Sequence, residues 1–197
     1  MFLRRSIICL VGLISFIGAA APAAAQPVTI VVFGDSGPAG SGGISAADSY
    51  PGVLQQLLRA RGINATVTND SSPGDTTAIG LGRVGNVPRD AKLVVTEFGS
   101  NDMRRNVTNA KMNENMEAII KHVRANGSQV LVLGVRGIDY SAIATRNGAT
   151  ALVYPPSFRG YLQGQSGQHL SAEGHRKAAE WMLPTVLELL QRAGIKS

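Results

Sequence analysis

Near-continuous apolar runs alternate along this chain with stretches in which apolar residues recur every three or four positions. Val28 to Phe33 is one such run, ending at a glycine, and Leu93 to Phe98 and Val130 to Val135 repeat it. Runs of this length without polar alternation are expected for parallel strands buried on both faces. Ala65 to Thr68 is a weaker strand, and Ala151 to Tyr154 supplies a short fifth. Between the runs, Val53, Leu54, Leu57 and Leu58 share one face of a helix predicted over Ser49 to Arg61, with Pro51 near its start and Gly62 beyond its end. Met112, Met116, Ile119, Ile120 and Val123 form a second helical stripe stopped by Gly127, while Lys111, Glu114, Lys121 and Arg124 take the opposite face. A last helix follows Ser171 as N-cap, runs through Ala178, Met182 and Leu190 and ends before Gly194, with a kink predicted at Pro184. Strands alternating with helices imply right-handed crossovers and a parallel sheet covered on both faces, an α/β three-layer sandwich. Ligands of such sheets bind beyond the carboxyl ends of the strands. Attention therefore falls on Gly34-Asp35-Ser36, Asn69 to Asp75 and Gly99 to Asp102.

The first 25 residues do not belong to this pattern. Arg4 and Arg5, an apolar stretch from Ile7 to Ala20, and Ala23-Ala24-Ala25 before Gln26 have the layout of a signal peptide with an A-x-A cleavage site. The apolar stretch is shorter than the roughly 20 residues of a spanning helix. Residues 26–197 are then one domain, exported to the periplasm or the extracellular space, with no stable membrane span after cleavage. Removing the segment lowers the formal net charge from +6 to +4 and takes away Cys9, the only cysteine. The mature chain therefore has no disulfide, thiol nucleophile or cysteine-ligated metal. Its basic residues are scattered without interleaved aromatics, which speaks against a nucleic-acid partner and reads as a solubilising surface. No histidine and carboxylate cluster has metal-ligand spacing, so no metal and no cofactor is expected. Oligomeric state is open, with a monomer the default.

Ser36 sits where the first strand ends, with its hydroxyl facing the crevice and its amide available to a developing oxyanion. A serine hydroxyl needs a base within hydrogen-bond reach. Of the three histidines, His122 lies off the apolar stripe of its helix and reads as solvated, and His175 falls inside the last helix, where it packs. His169, in the segment just before that helix, is the best-placed base.

Four segments, Phe33-Gly34-Asp35-Ser36, Pro73-Gly74-Asp75-Thr76-Thr77, Glu97-Phe98-Gly99-Ser100-Asn101-Asp102 and His169 to His175, follow one another in the order and spacing of the four blocks of the SGNH, or GDSL, hydrolases. The chain resembles the secreted arylesterase, lysophospholipase and acyl-thioesterase branch of that family, over nearly all of the mature sequence. The resemblance implies a flavodoxin-like, mostly parallel five-stranded sheet and a small ester or acyl substrate. It implies Ser36 as nucleophile, His169 as general acid/base, and the Ser36 amide, Gly74 amide and Asn101 side-chain amide as the oxyanion hole. Ester hydrolysis builds charge on the carbonyl oxygen, and fixed donors stabilise it more as the charge grows. Asp35, Asp75 and Asp102 are expected to brace loops or cap helices.

Two positions depart from the family pattern. The family places an aspartate three residues before the histidine, whereas this chain has Ser166, which is left as a candidate for orienting His169 without a charge. Asp139 and Glu173 do not have the matching spacing. Gly37 follows the nucleophile where the family has a larger apolar residue. The stretch from Arg136 to Gln165 reads as short and poor in bulky apolar residues, which predicts small acyl groups. The expected activity is a serine esterase acting on carboxylic or thio esters through an acyl-enzyme. The alternative is a catalytically impaired pseudohydrolase that binds an acyl or acetylated ligand. A phosphate-binding loop at Gly37 to Gly43 is excluded by the lack of P-loop and dinucleotide-site spacing.

Overall fold

The computed structural model describes residues 27–163 and 168–195. The predicted leader, residues 1–25, and Ser166 lie outside them. Five strands, β1 (Val28–Gly34), β2 (Ala65–Ser71), β3 (Leu93–Glu97), β4 (Gln129–Gly134) and β5 (Thr150–Val153), form one all-parallel sheet in the order β2-β1-β3-β4-β5. That order is the flavodoxin-like doubly wound arrangement, in which the chain reverses its direction of winding between β1 and β3.

Successive side chains of a strand point to opposite faces, and the core divides accordingly. Ile30, Val32, Leu93, Val95, Leu131 and Leu133 pack on one side against α1 (Tyr50–Arg59) and α6 (Ala172–Arg192). Val31, Phe33, Val94, Val130 and Val132 pack on the other against α4 (Asn109–Ala125) and α5 (Ser141–Arg146). The central strands are thus buried on both faces, which is why their sequences are apolar without alternation. The short helices α2 (Thr77–Arg83) and α3 (Ser100–Arg104) follow the carboxyl ends of β2 and β3.

The last helix behaves as predicted at its start, where Ser171 Oγ accepts from the Gly174 amide at 3.1 Å. Pro184 lies inside α6, which continues across it to Arg192. Val186, Leu189 and Leu190 beyond Pro184 are buried in the same cluster as Ala178 and Met182 before it. Packing along both halves holds the helix together where one backbone hydrogen bond is missing. A two-stranded antiparallel hairpin, β6 (Leu162–Gln163) and β7 (His169–Leu170), lies outside the main sheet and pairs Gln163 with His169.

Candidate active site

Ser36, Gly74 and Asn101 follow the carboxyl ends of β1, β2 and β3, at the point where the sheet changes winding direction; Ser36 lines the cleft, and Asn101 lies beside it against Asp35 and the Asp75 carbonyl. After Gly34 the chain turns sharply. Asp35 Oδ1 accepts from the Gly37 amide at 3.0 Å, and the Ala39 amide bonds back to the Asp35 carbonyl. This turn lifts Ser36 Oγ to 3.0 Å from Nε2 of His169, which the β6–β7 hairpin carries in from the far side of the chain. His169 therefore lies on a short strand, where the sequence suggested a loop. Burial, followed by the charges of Arg104 and Arg136, pulls the His169 imidazole below its ordinary value of 6.5.

Gly74, in the turn after β2, has φ of +89°, a backbone conformation that favours glycine. Among the described residues, neither its amide nor that of Ser36 donates to a backbone acceptor. The Asn101 amide is oriented from two sides. Its Nδ2 donates to the Asp75 carbonyl at 2.7 Å and to Asp35 Oδ2 at 3.3 Å, while its Oδ1 accepts from Arg104. Exchanging the oxygen and nitrogen would set donor against guanidinium and acceptor against carbonyl, so the contacts determine the orientation.

The three aspartates brace this frame. Asp102 accepts from the Thr77 amide at 2.9 Å and its hydroxyl at 2.6 Å, tying α3 to the start of α2. Asp75 pairs with Arg83 at 2.6 Å, and the same guanidinium reaches Asp70 and the Gly34 carbonyl. Burial raises the Asp35 carboxyl to about 6, against the Gly37 amide and Arg104, which lower it. Asp139 and Glu173 do not reach the histidine. Asp139 accepts from the Ser141 amide at 2.8 Å, and Glu173 is exposed in the first turn of α6. His122 is exposed, as expected. His175 is buried, its Nδ1 accepts from the Tyr50 amide at 3.1 Å, and burial lowers it to about 4.

Sequence reasoning missed Glu97. It is buried beneath the turn that carries Ser36 and accepts from the hydroxyls of Tyr50 at 3.1 Å and Tyr154 at 3.3 Å. A Cβ on Gly37 would lie 2.3 Å from Glu97 Oε1, which gives the glycine after Ser36 a packing reason. Burial, with the charge of Asp35 second, pushes this carboxyl up to about 8. A carboxyl raised in the fold favours folding fully below its ordinary value near 4.5 and loses that contribution as pH rises to about 8. Glu97→Gln keeps an acceptor for both phenols. It is expected to flatten the fall in stability between pH 5 and 8.5 by an amount on the order of a few kcal/mol, with a residual slope below pH 6 from Asp35. Urea midpoints at the two pH values check this, and parallel losses in both proteins would contradict it.

The cleft has a volume of about 940 Å³ and is walled by Val135, Val153, Tyr154, Phe158, Leu162 and Leu170, with Arg104, Arg136 and Arg159 at its mouth. The volume lies near the top of the roughly 300–1,000 Å³ usual for ligand pockets. It exceeds what an acetyl or butyryl group alone would fill, so the cleft has room for longer acyl groups than the sequence suggested. The basic residues are likewise not all a solubilising surface, since these three arginines border the site.

Comparison with known proteins places the chain in familiar company. The sequence profile of the GDSL-like Lipase/Acylhydrolase family matches residues 32–168. Esterase TesA of Pseudomonas aeruginosa is 34% identical, over 85% of this chain and 91% of that protein. An arylesterase of Vibrio mimicus is 31% identical over 54% of each chain. Among solved structures, that of TesA superposes with a TM-score of 0.71 at 27% identity, over 82% of this chain and 99% of that one. The SGNH-hydrolase family esterase AlinE4 superposes with a TM-score of 0.65 at 28% identity, over 84% and 97%.

Proposed function

The chain belongs to the GDSL-like lipase/acylhydrolase family and is an esterase of it, and on that premise we propose that it hydrolyses carboxylic or thio esters through an acyl-enzyme on Ser36, with His169 as sole general acid/base. The observation that carries this reading is the 3.0 Å contact between Ser36 Oγ and His169 Nε2 at the mouth of an apolar cleft.

The chemistry follows from the positions. Ser36 Oγ attacks the substrate carbonyl carbon as its proton passes to His169 Nε2. The carbonyl oxygen becomes an oxyanion held by the Ser36 and Gly74 amides and by Asn101 Nδ2. The tetrahedral adduct collapses, the bond to the alcohol or thiol breaks, and the leaving group takes the proton from Nε2. Water then adds to the acyl-Ser36 ester and gives its proton to Nε2. Collapse releases the carboxylic acid and returns the proton to Oγ.

Attack requires the neutral imidazole, so turnover rises with pH through a midpoint below 6.5, the ordinary histidine value. Restoring a carboxylate with Ser166→Asp stabilises the imidazolium and moves that midpoint upward. The leader-like residues 1–25 support export to the periplasm or outside the cell, with the domain beginning after them. Among the described residues no helix is long and apolar enough to cross a membrane.

Hydrolysis of p-nitrophenyl acetate, butyrate and octanoate by the purified domain tests the activity and the pocket together. Burying each methylene contributes about 0.8 kcal/mol. In a cleft of this size octanoate is expected to exceed acetate in kcat/KM by about tenfold or more. A decline with chain length restores the small-acyl expectation. Tight binding of the esters without turnover assigns the chain to the pseudohydrolase alternative.

A further inference from the structure

The proposed reaction leaves open what holds the imidazole in a chain with Ser166 three residues before His169. The described neighbours of the histidine supply a grip of a different kind. Arg104 Nη1 donates to the Gln168 side-chain oxygen at 2.5 Å, and Arg136 Nη2 donates to the Gln168 main-chain oxygen at 2.7 Å. The residue next to the base is thus held from α3 on one side and from the turn after β4 on the other. Arg104 also donates to Asn101 Oδ1, so one guanidinium links the His169 strand to the side-chain donor of the oxyanion hole. Arg136 has φ of +52°, a left-handed conformation for a residue with a long side chain. Such conformations are unfavourable and persist where the surroundings impose them, often at functional sites.

We propose that Arg104 and Arg136 are positioning residues for His169, clamping Gln168 so that Nε2 stays on Ser36 Oγ while Asn101 is kept in register with it. This rests on the Ser36–His169 reading and deepens it. The clamp supplies orientation and not the charge of an aspartate, because two guanidinium groups oppose the imidazolium where a carboxylate favours it. The base is therefore well placed but weak, and it stays neutral at lower pH than a free histidine. The other titratable groups around it are Asp35 and Glu97 at the cleft floor, Arg159 at its mouth and His175 in α6. Glu97, raised to about 8, is largely neutral in the range where His169 titrates, whereas Asp35, raised to about 6, changes charge close to that range. His169 must accordingly be followed directly.

The test combines the pH–rate profile with an NMR titration of the His169 ring protons, for wild type, Arg104→Met/Arg136→Met, Arg104→Lys, Gln168→Ala and the exposed control Lys111→Gln. The double variant is expected to lower the kcat plateau by about 10²-fold through misplacement of the base, while the His169 midpoint moves up. Arg104→Lys keeps a charge without the two-sided bridge, so its plateau falls with the midpoint little moved. Gln168→Ala lowers the plateau with both charges intact, and Lys111→Gln matches wild type. A purely electrostatic role predicts a raised midpoint with an unchanged or higher plateau, since a stronger base transfers protons better, and that result would overturn the clamp. So would a fallen plateau with an unmoved midpoint in the double variant, the mark of general structural damage. Should Ser36→Ala and His169→Ala leave turnover intact, the catalytic reading itself fails. If they abolish it while the arginine variants match wild type, only the clamp fails.

Discussion

Replacing His169 by alanine is expected to lower kcat by about 10²–10⁴-fold, and Ser36→Ala/His169→Ala is expected to lose no more than Ser36→Ala alone. The two side chains meet at 3.0 Å, and in the proposed mechanism they act as one unit, so removing either removes the step both perform. In serine proteases the third member, a carboxylate, accounts for about 10⁴ of turnover by fixing the tautomer and stabilising the imidazolium. This chain has serine at the corresponding position, so the histidine has less to contribute and less is lost with it. Single-turnover rates with a p-nitrophenyl ester check the expectation. Additive losses in the double variant would mean that the two residues serve different steps.

The second large effect falls on Asn101. Removing one side-chain donor from an oxyanion hole typically costs about 10²–10³ in kcat, and Asn101→Ala is expected to lie in that range with KM little changed, because the donor matters more to the adduct than to the ground-state carbonyl. The amide also donates to the Asp75 carbonyl and accepts from Arg104. Its loss therefore loosens the β2–α2 turn as well, and the melting midpoint must be recorded alongside. A rate unchanged to within about threefold would leave the oxyanion to the backbone amides of Ser36 and Gly74 and contradict the assigned role.

Much of this arrangement is legible in the chain because the physics is local. The runs around Ile30, Val94 and Leu131 are apolar on both faces, and only a strand covered on both sides requires that. Ser171 as a cap and Gly194 after α6 mark the ends of the last helix through their own backbone preferences. The β6–β7 hairpin is harder to see, because two residues per strand carry no period. Pro184 does not end the helix, since residues packed on both sides of it are buried in the same core. Glu97 left one usable signal, a carboxylate at the end of an otherwise apolar run, facing a glycine at position 37 where the family has a larger side chain. Arg104 and Arg136 left none. Exposed arginines look alike in sequence whether they meet water or Gln168, and only the fold brings residues 104, 136 and 168 together.

The central claim, that Ser36 is a nucleophile activated by His169 alone, is tested most directly by covalent trapping. Incubation with a p-nitrophenyl alkylphosphonate, followed by intact and peptide mass spectrometry, is expected to add one phosphonyl group per chain on the peptide containing Ser36. Labelling should vanish in Ser36→Ala and slow in His169→Ala. An adduct on another residue, or ester turnover that persists with Ser36 unlabelled, would contradict it.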